Sequence, residues 1–208
     1  MRRKIFSLLC STVIAASFCL YALPLAAQDE EIVVPFEQLV TSDGAITMAY
    51  PGAWAIDDAS QPGTLIFSSP DADAESGEGV IVSVSFLTDA GLAAASLGGT
   101  TAEMAAQLRT AYLDLFVDAD GQPTADIGEP VVLPAADLLG LPEIASVSVN
   151  AEEILGTFFL WQITDGLYGT AWSFSSPEAW LAEQPTVLEI VRSVRFIGDA
   201  AMLAEGGN

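Results

Sequence analysis

The chain has 208 residues and carries 28 Asp and Glu residues against six Lys and Arg, with no His and a formal net charge of −22. Three of the six basic residues and both cysteines lie within the first 27 positions, so residues 28–208 contain no Lys, His or Cys and carry three arginines against 28 carboxylates. This composition excludes a Ser-His-Asp triad, a Cys-His pair, a zinc site of His and Cys, a Schiff-base or P-loop lysine, and a nucleic-acid interface, which needs a basic surface.

Residues 1–27 have the layout of a secretory signal peptide. Basic residues at positions 2–4 precede an apolar run from Ile5 to Leu25, and Ala26-Ala27 stands before an acidic stretch. We expect cleavage after Ala27 and bacterial export to the periplasm, cell surface or medium, with no membrane insertion afterwards. The alternative is an uncleaved anchor, because a helix of this length, rising about 1.5 Å per residue, would also span roughly 30 Å of hydrocarbon.

The rest of the chain is predicted to form one domain with short flanking segments. Residues 28–43 are interpreted as an acidic tether, in which Ile32–Phe36 has the composition of a short edge strand and Pro35 argues against a central one. Residues 44–197 contain no internal repeat and no linker long enough to divide them, so we expect a single domain. Residues 198–208 are predicted to be a disordered tail.

Strands dominate the first half of this domain. Alternating apolar residues predict strands at 46–50, 54–56, 64–67 and 80–87, the last being the clearest because Val80, Val82, Val84 and Phe86 share one face. We expect the first two strands to form a hairpin-like pair around Pro51-Gly52. The acidic loop Asp71–Gly79 has no apolar anchor and is predicted to be mobile.

A helix is predicted over Thr100–Phe116, where the apolar spacing changes to four, four and three residues. Thr100 or Thr101 would cap it, and its expected buried stripe consists of Met104, Leu108, Tyr112 and Leu115. The exposed side would carry Gln107, Arg109 and Asp114. A turn rich in Asp and Gly follows at 118–123.

The second half is predicted to contain five more strands and a helical region. Strands are expected at 130–133, 144–149, 154–164 and 167–174, and the third is apolar on both faces, which predicts cover on both sides. Asp165-Gly166 predicts a type I′ hairpin turn. Ser176-Pro177 predicts a helix start, Pro185 a break before a second helix over 186–192, and 194–197 a strand that closes the sheet.

Two motifs lie in this order of elements, Tyr50-Pro51-Gly52-Ala53-Trp54 at a strand end and Ile190-Val191-Arg192-Ser193-Val194-Arg195-Phe196 near the C-terminus. Together they resemble the PsbP-like superfamily, which includes the extrinsic protein of the oxygen-evolving complex and a Ran-binding protein. The resemblance spans residues 46–197. It implies an α+β fold with an antiparallel β-sheet and helices packed on both faces, as an α/β/α sandwich. It also implies a partner-binding or chaperoning role with no shared catalytic residues. The lack of Lys and His departs from the photosynthetic members and argues against photosystem assembly.

Carboxylates are the abundant functional groups, so calcium binding and two-carboxylate hydrolysis are the chemistries to weigh. Asp118–Glu129 places oxygen ligands at loop positions 1, 3, 5, 9 and 12, but Pro123 stands at position 6, where an EF-hand requires Gly. We interpret this spacing as chance in an acid-rich chain and Asp71–Glu78 as a solvated loop. No pair of carboxylates can be nominated, so no catalytic, metal or cofactor-binding residue is predicted.

The tryptophans and arginines have both structural and ligand-binding interpretations. Trp54, Trp161, Trp172 and Trp180 are candidates for a groove that takes sugars or apolar molecules. Core packing is favoured, because Trp161 and Trp172 are expected in strands that face each other across the Asp165-Gly166 turn, where aromatic cross-strand neighbours commonly stabilise the pair. Arg192 and Arg195 are expected to have carboxylate partners, with an anionic ligand as the alternative.

The sequence therefore favours an exported, non-enzymatic α+β protein that binds an unidentified protein or small ligand without a cofactor. The rival hypothesis is a secreted carboxylate-dependent hydrolase or a calcium-binding module. The high negative charge suits either a saline or mildly acidic habitat or a cationic partner, and the sequence leaves both open.

Overall fold

The computed structural model describes residues 35–57, 64–73, 78–135, 141–151 and 154–198. The predicted signal peptide, residues 28–34 of the predicted tether, residues 74–77 of the acidic loop and residues 199–208 lie outside these ranges. None of the helices within them is long and apolar enough to cross a bilayer.

The described residues form strands and three helices. The strands are β1 (Phe36–Val40), β2 (Ile46–Pro51), β3 (Ala55–Asp57), β4 (Thr64–Ser68), β5 (Val80–Thr88), β6 (Asp126–Ile127), β7 (Val131–Leu133), β8 (Ile144–Ala151), β9 (Ile154–Thr164), β10 (Leu167–Ser175) and β11 (Arg195–Phe196). The helices are α1 (Asp89–Ala94), α2 (Thr101–Leu115) and α3 (Pro177–Ser193).

The strands pair antiparallel in two sheets. The larger sheet has the order β3-β4-β5-β10-β9-β8-β6, with β7 also paired to β8, and the smaller has the order β1-β2-β11. The long hairpin of β9 and β10 lies in the middle of the larger sheet. The architecture is α+β, a mainly antiparallel β-structure with a few helices.

The core follows from the alternation of apolar residues along these strands. Val80, Val82 and Val84 of β5 are fully buried, which confirms the clearest strand prediction. They belong to a core cluster that includes Trp161 of β9 and buried side chains of α3: Trp180, Val187, Ile190 and Val191. Other clusters pair Ala105 and Met104 of α2 with the alternate residues of β8 and β9, namely Ala145, Val147, Val149 and Leu160.

Two predictions about strand pairing are wrong. The strands around Pro51-Gly52 do not form a hairpin, because β2 pairs with β1 and β11, whereas β3 pairs with β4. The final strand closes the smaller sheet on β2 and not the larger one, and this pairing joins residues at opposite ends of the domain, which local patterns do not specify. Within the predicted tether, the edge strand is β1 at Phe36–Val40, in register with β2, and it begins at the last residue of the predicted range 32–36.

The predicted helix start at Thr100 is confirmed, but one residue of the predicted buried stripe is exposed. Thr100 and Glu103 form a capping box, in which the Thr100 hydroxyl accepts from the Glu103 amide and the Glu103 carboxylate accepts from the Thr100 amide at 2.8 Å. Met104 is buried, but Leu115 is 68 % exposed. Leu115 has the predicted spacing, but it is the last residue of α2, and the described elements leave its side chain largely uncovered.

The helix after β10 is continuous, contrary to the predicted break. Ser176 caps α3 by accepting from the Ala179 amide at 3.2 Å, as predicted, but Pro185 lies inside the helix. Proline removes one helical hydrogen bond. Buried residues on both sides of it, Trp180 and Val187, hold both halves of α3 against the core.

Two turns differ from expectation. Gly166 has positive φ (77°), whereas Asp165 does not, so the hairpin turn is not type I′, which needs positive φ at both positions. Next to this turn, the register of the β9–β10 pairing shifts between Leu167 and Tyr168. The short helix α1 was not predicted, although Thr88 caps it through the Gly91 amide.

Candidate functional site

Among the residues that the structure describes, one face of the larger sheet is left open over β3, β4, β5 and β10. Side chains of directly paired residues lie on the same face of a sheet. Two such rows cross these strands, one from Asp57 through Ile66 and Ser83 to Trp172, the other from Ser68 through Ile81 to Phe174. We define these seven residues as the open face. All of them are partly or largely exposed.

The opposite side of the same strands is buried. Leu65 and Phe67 of β4 and Ala171 of β10 alternate with open-face residues and lie in the core that α3 covers. Helix α2 packs against β6, β8 and β9 of this sheet, and its Tyr112 contacts Trp172 at the margin of the open face.

An aromatic cluster marks this boundary. The Trp172 ring lies 5.5 Å from Tyr112 of α2, 6.0 Å from Phe158 and 4.9 Å from Phe174, as centroid distances. Burial raises the pKa of Tyr112 to about 12, so its hydroxyl stays neutral at physiological pH. Contacts on several sides hold Trp172 in place. Phe174, which is 42 % exposed, extends this cluster to the surface.

Beside Phe174 the surface forms a cleft of about 180 Å³. Its apolar walls are Ile81, Ile154 and Phe174, and Asp73 and Glu78 stand at its edge. The Asp73 amide donates to the Glu78 carbonyl at 3.0 Å, which closes the base of the acidic loop. The cleft thus combines apolar walls with two acidic residues.

The arginines that the structure describes do not belong to the open face. Arg109 of α2 contacts the Glu129 carboxylate at 2.8 Å and donates to the Gly128 carbonyl at 3.1 Å. Arg192 lies in α3, and Arg195 follows in β11. In the part of the chain that the structure describes, the open face consequently has no positive charge of its own.

Comparisons with solved structures identify the fold. The chain matches the solution structure of cyanobacterial PsbP (CyanoP) from Synechocystis sp. PCC 6803 with a TM-score of 0.50 and 13 % identity, over 83 % of this chain and 99 % of that one. It matches the Ran-binding protein Mog1p of Saccharomyces cerevisiae with a TM-score of 0.50 and 10 % identity, over 82 % and 98 % of the two chains. The chain has the PsbP-like fold. No protein-family model and no curated protein matches its sequence.

The calcium spacing in this PsbP-like chain does not form an EF-hand. Asp118 uses one carboxylate oxygen to accept from the amides of Asp120 and Gln122, at 2.9 and 2.8 Å. Residues 126–127 are in β6, and Glu129 is paired with Arg109. Across the described ranges no group of three or more His, Cys, Asp or Glu residues could hold a metal ion.

The tryptophans divide between core and surface. Trp54, Trp161 and Trp180 are at most 7 % exposed, which agrees with core packing. Trp161 and Trp172 lie in the facing strands β9 and β10, as expected, but they are not cross-strand neighbours, because Trp161 pairs with Gly169 and Trp172 with Phe158, on opposite faces of the sheet. Sequence reasoning also missed Phe174 as a surface group, since the alignment of Phe174 with Ile81 depends on the pairing of β5 and β10.

The two C-terminal arginines do not form the expected ion pairs among the described residues. One terminal nitrogen of Arg195 donates to the carbonyls of Arg192 and Val194, at 2.5 and 2.7 Å. These carbonyls stand at the C-terminal end of α3, where a cation is favourable. Arg195 therefore caps a helix.

Proposed function

We propose that this chain is an exported, non-enzymatic accessory protein of the PsbP-like fold that binds a basic protein partner through the open face. The observation that carries the proposal is the apolar cleft at Phe174, bordered by Asp73 and Glu78 on a face without a described cation. A structural neighbour, Mog1p, is named as a Ran-binding protein, so this fold is compatible with binding a protein. Export rests on the composition of residues 1–27.

The negative net charge of the chain favours a cationic partner. A formal charge of −22 repels nucleic acid and anionic membranes and attracts cationic surfaces. A partner's Lys or Arg side chain fits the cleft chemically: its aliphatic stem would pack on Ile81 and Ile154, and its charged head would lie near the Phe174 ring and the two carboxylates. Such opposite charges accelerate association as well as select the partner.

We also infer that helices cover both faces of the larger sheet, as the resemblance implies. Phe158 and Leu160 of β9 join the clusters of α2, whereas Phe159 and Trp161 join the cluster of α3. Because successive residues of a strand point to opposite faces, α2 and α3 are inferred to cover opposite sides of the larger sheet. The open face is then the portion of one side that α2 does not reach.

The rival hydrolase has less support. A glycosidase-type general acid needs a raised pKa. The pKa of Asp43 is lowered, mainly by the hydrogen bond from the Thr41 hydroxyl, and the pKa of Glu103 is lowered by hydrogen bonds from Thr100. Both shifts favour the ionised form, and both carboxylates serve local turns and caps.

A pair of designed peptides tests the proposed interface. One peptide repeats Arg-Leu and the other Glu-Leu, and binding of each to the full chain is measured by calorimetry at low and moderate salt. We expect saturable binding of the Arg-Leu peptide alone. The double variant Phe174→Ser, Ile154→Ser should weaken it more than tenfold, because it removes the apolar walls of the cleft. The matched control is Leu181→Ser, which changes a 79 % exposed leucine on α3.

Equal affinity for wild type and the double variant would contradict the proposal, because the peptide would then bind by net charge alone. Sedimentation velocity tests whether a second copy of this chain occupies the open face instead. A dimer that the double variant abolishes would show that a second copy, and not a basic partner, covers the open face.

A further inference from the structure

A second concave site lies away from the open face, lined by residues of α3, β7, β8 and β9. It is a cavity of about 230 Å³, which we call the α3 cavity. The cavity opens to solvent on the side of Glu129 and Gln184, which are exposed, so a small molecule can enter it.

The sheet side of the α3 cavity carries hydroxyl groups. Ser148 pairs directly with Thr157, and Ser146 with Phe159, so these side chains lie on one face. Thr157 is only 6 % exposed. The alternate residues of β8 are all apolar and buried, in the cluster that α2 covers: Ala145, Val147 and Val149. Strand β8 is thus polar only on the side that lines the cavity.

The helix side combines an aromatic, an amide and an aliphatic side chain. Trp180, Gln184 and Leu188 are spaced four residues apart on α3, so they form one stripe facing the cavity. The Trp180 and Phe159 rings lie 6.4 Å apart at an interplanar angle of 36°. Glu129 stands at the rim, where it is 81 % exposed and paired with Arg109 at 2.8 Å.

These groups define the chemistry of a ligand. Three hydroxyls and one amide offer neutral hydrogen-bond donors and acceptors, and the two rings offer an apolar wall. The rim carboxylate is compensated by Arg109, whereas the strong negative charge of the whole chain disfavours anions. We propose that the α3 cavity binds a small neutral polyhydroxylated molecule of monosaccharide size. Its hydroxyls would bond to Ser146, Ser148, Thr157 and Gln184, and its apolar face would pack on Trp180 and Phe159.

Calorimetry and ¹⁵N-resolved NMR titration of the full chain test this site. The neutral probes are methyl β-D-glucopyranoside, methyl β-D-galactopyranoside and myo-inositol, and the charged probe is glucuronate. We expect saturable binding of at least one neutral probe, with a dissociation constant on the order of 1 mM and shifts centred on β8, β9 and α3. Glucuronate should bind at least tenfold more weakly.

Matched substitutions locate the binding. Thr157→Val removes a cavity hydroxyl without changing side-chain size, and Gln184→Leu removes the amide from an exposed position of α3. Each should weaken the best neutral probe about tenfold. The control Thr110→Val removes a hydroxyl from the exposed side of α2 and should leave the affinity unchanged. Thermal melts establish whether each variant is folded. If Thr157→Val is unfolded, the effect of Gln184→Leu on affinity decides the test.

Three results would overturn the proposal. The first is the absence of saturable binding by all three neutral probes. The second is an affinity that neither cavity variant changes. The third is a preference for glucuronate, which would contradict the neutral class of ligand.

Discussion

Gly169 illustrates how a single backbone position can shape the core. It lies in β10 directly opposite Trp161, and a Cβ atom at this position would overlap the Trp161 ring. Trp161 is fully buried, so the ring has no free space to move into. Glycine at position 169 thus makes room for the largest side chain of the core.

Gly169→Ala should therefore destabilise the protein, by about 1–3 kcal/mol as overpacked cores do. Urea denaturation followed by tryptophan fluorescence measures the free energy of unfolding. Gly98→Ala is the control, because a Cβ there meets no atom within 4 Å. Equal effects of the two substitutions would mean that Trp161 can repack.

Tyr112 gives the aromatic cluster a pH dependence in the alkaline range. Burial raises its pKa from 10 to about 12 in the folded state, so ionisation favours the unfolded chain. A raised pKa contributes stability that is fully present below pH 10 and is lost as the pH rises towards 12.

Tyr112→Phe should accordingly lose less stability than wild type between pH 9 and pH 11.5. The measurement is the melting temperature across this range, with the two proteins compared at each pH so that the remaining tyrosines cancel. If the melting temperatures of wild type and Tyr112→Phe fall equally over this range, the Tyr112 hydroxyl is accessible to water in its ionised form.

At the level of elements, patterns within a segment predicted the structure better than relations between segments. The strand β5 and the caps of α2 and α3 depend on neighbours within a few residues, and all were predicted. The separation of β2 and β3 into different sheets depends on pairing with β1, β11 and β4. The open face and the cleft at Phe174 arise from such pairings, so the sequence did not reveal them.

Pro185 is the element-scale exception, because a strong local breaker is overruled by packing. It lies within α3, where buried residues on both sides keep the helix continuous. A proline inside a helix costs roughly 3 kcal/mol relative to alanine in an exposed site. Pro185→Ala should raise the free energy of unfolding by at least about 1 kcal/mol, as measured by urea denaturation.

The control for this substitution is Glu189→Ala, another exposed position of α3, which should change stability much less. Destabilisation by Pro185→Ala would indicate that α3 needs a bend at this residue for Trp180 and Val187 to reach the core together.

At the scale of the whole molecule, export is the first property to measure. Expression of the full chain in a bacterial host with a secretion pathway should give a product beginning at Gln28, because Ala26-Ala27 precedes the acidic stretch. Intact mass and N-terminal sequencing identify the start. A product that retains residues 1–27 and stays with the membrane would support the uncleaved anchor instead.

The second whole-molecule property is the response to salt. A formal charge of −22, without compensating Lys after position 4, makes the folded state repel itself when screening is weak. Raising NaCl from 10 mM to 0.5 M shortens the screening length well below about 10 Å, so the melting temperature should rise by several degrees.

Ca²⁺ and Mg²⁺ at equal ionic strength should have equal effects, because no metal-binding cluster occurs in the described ranges. A rise specific to Ca²⁺ would instead support the rival calcium module and would direct attention to the acidic loop between Asp73 and Glu78, since a ligand that binds only the folded state stabilises it.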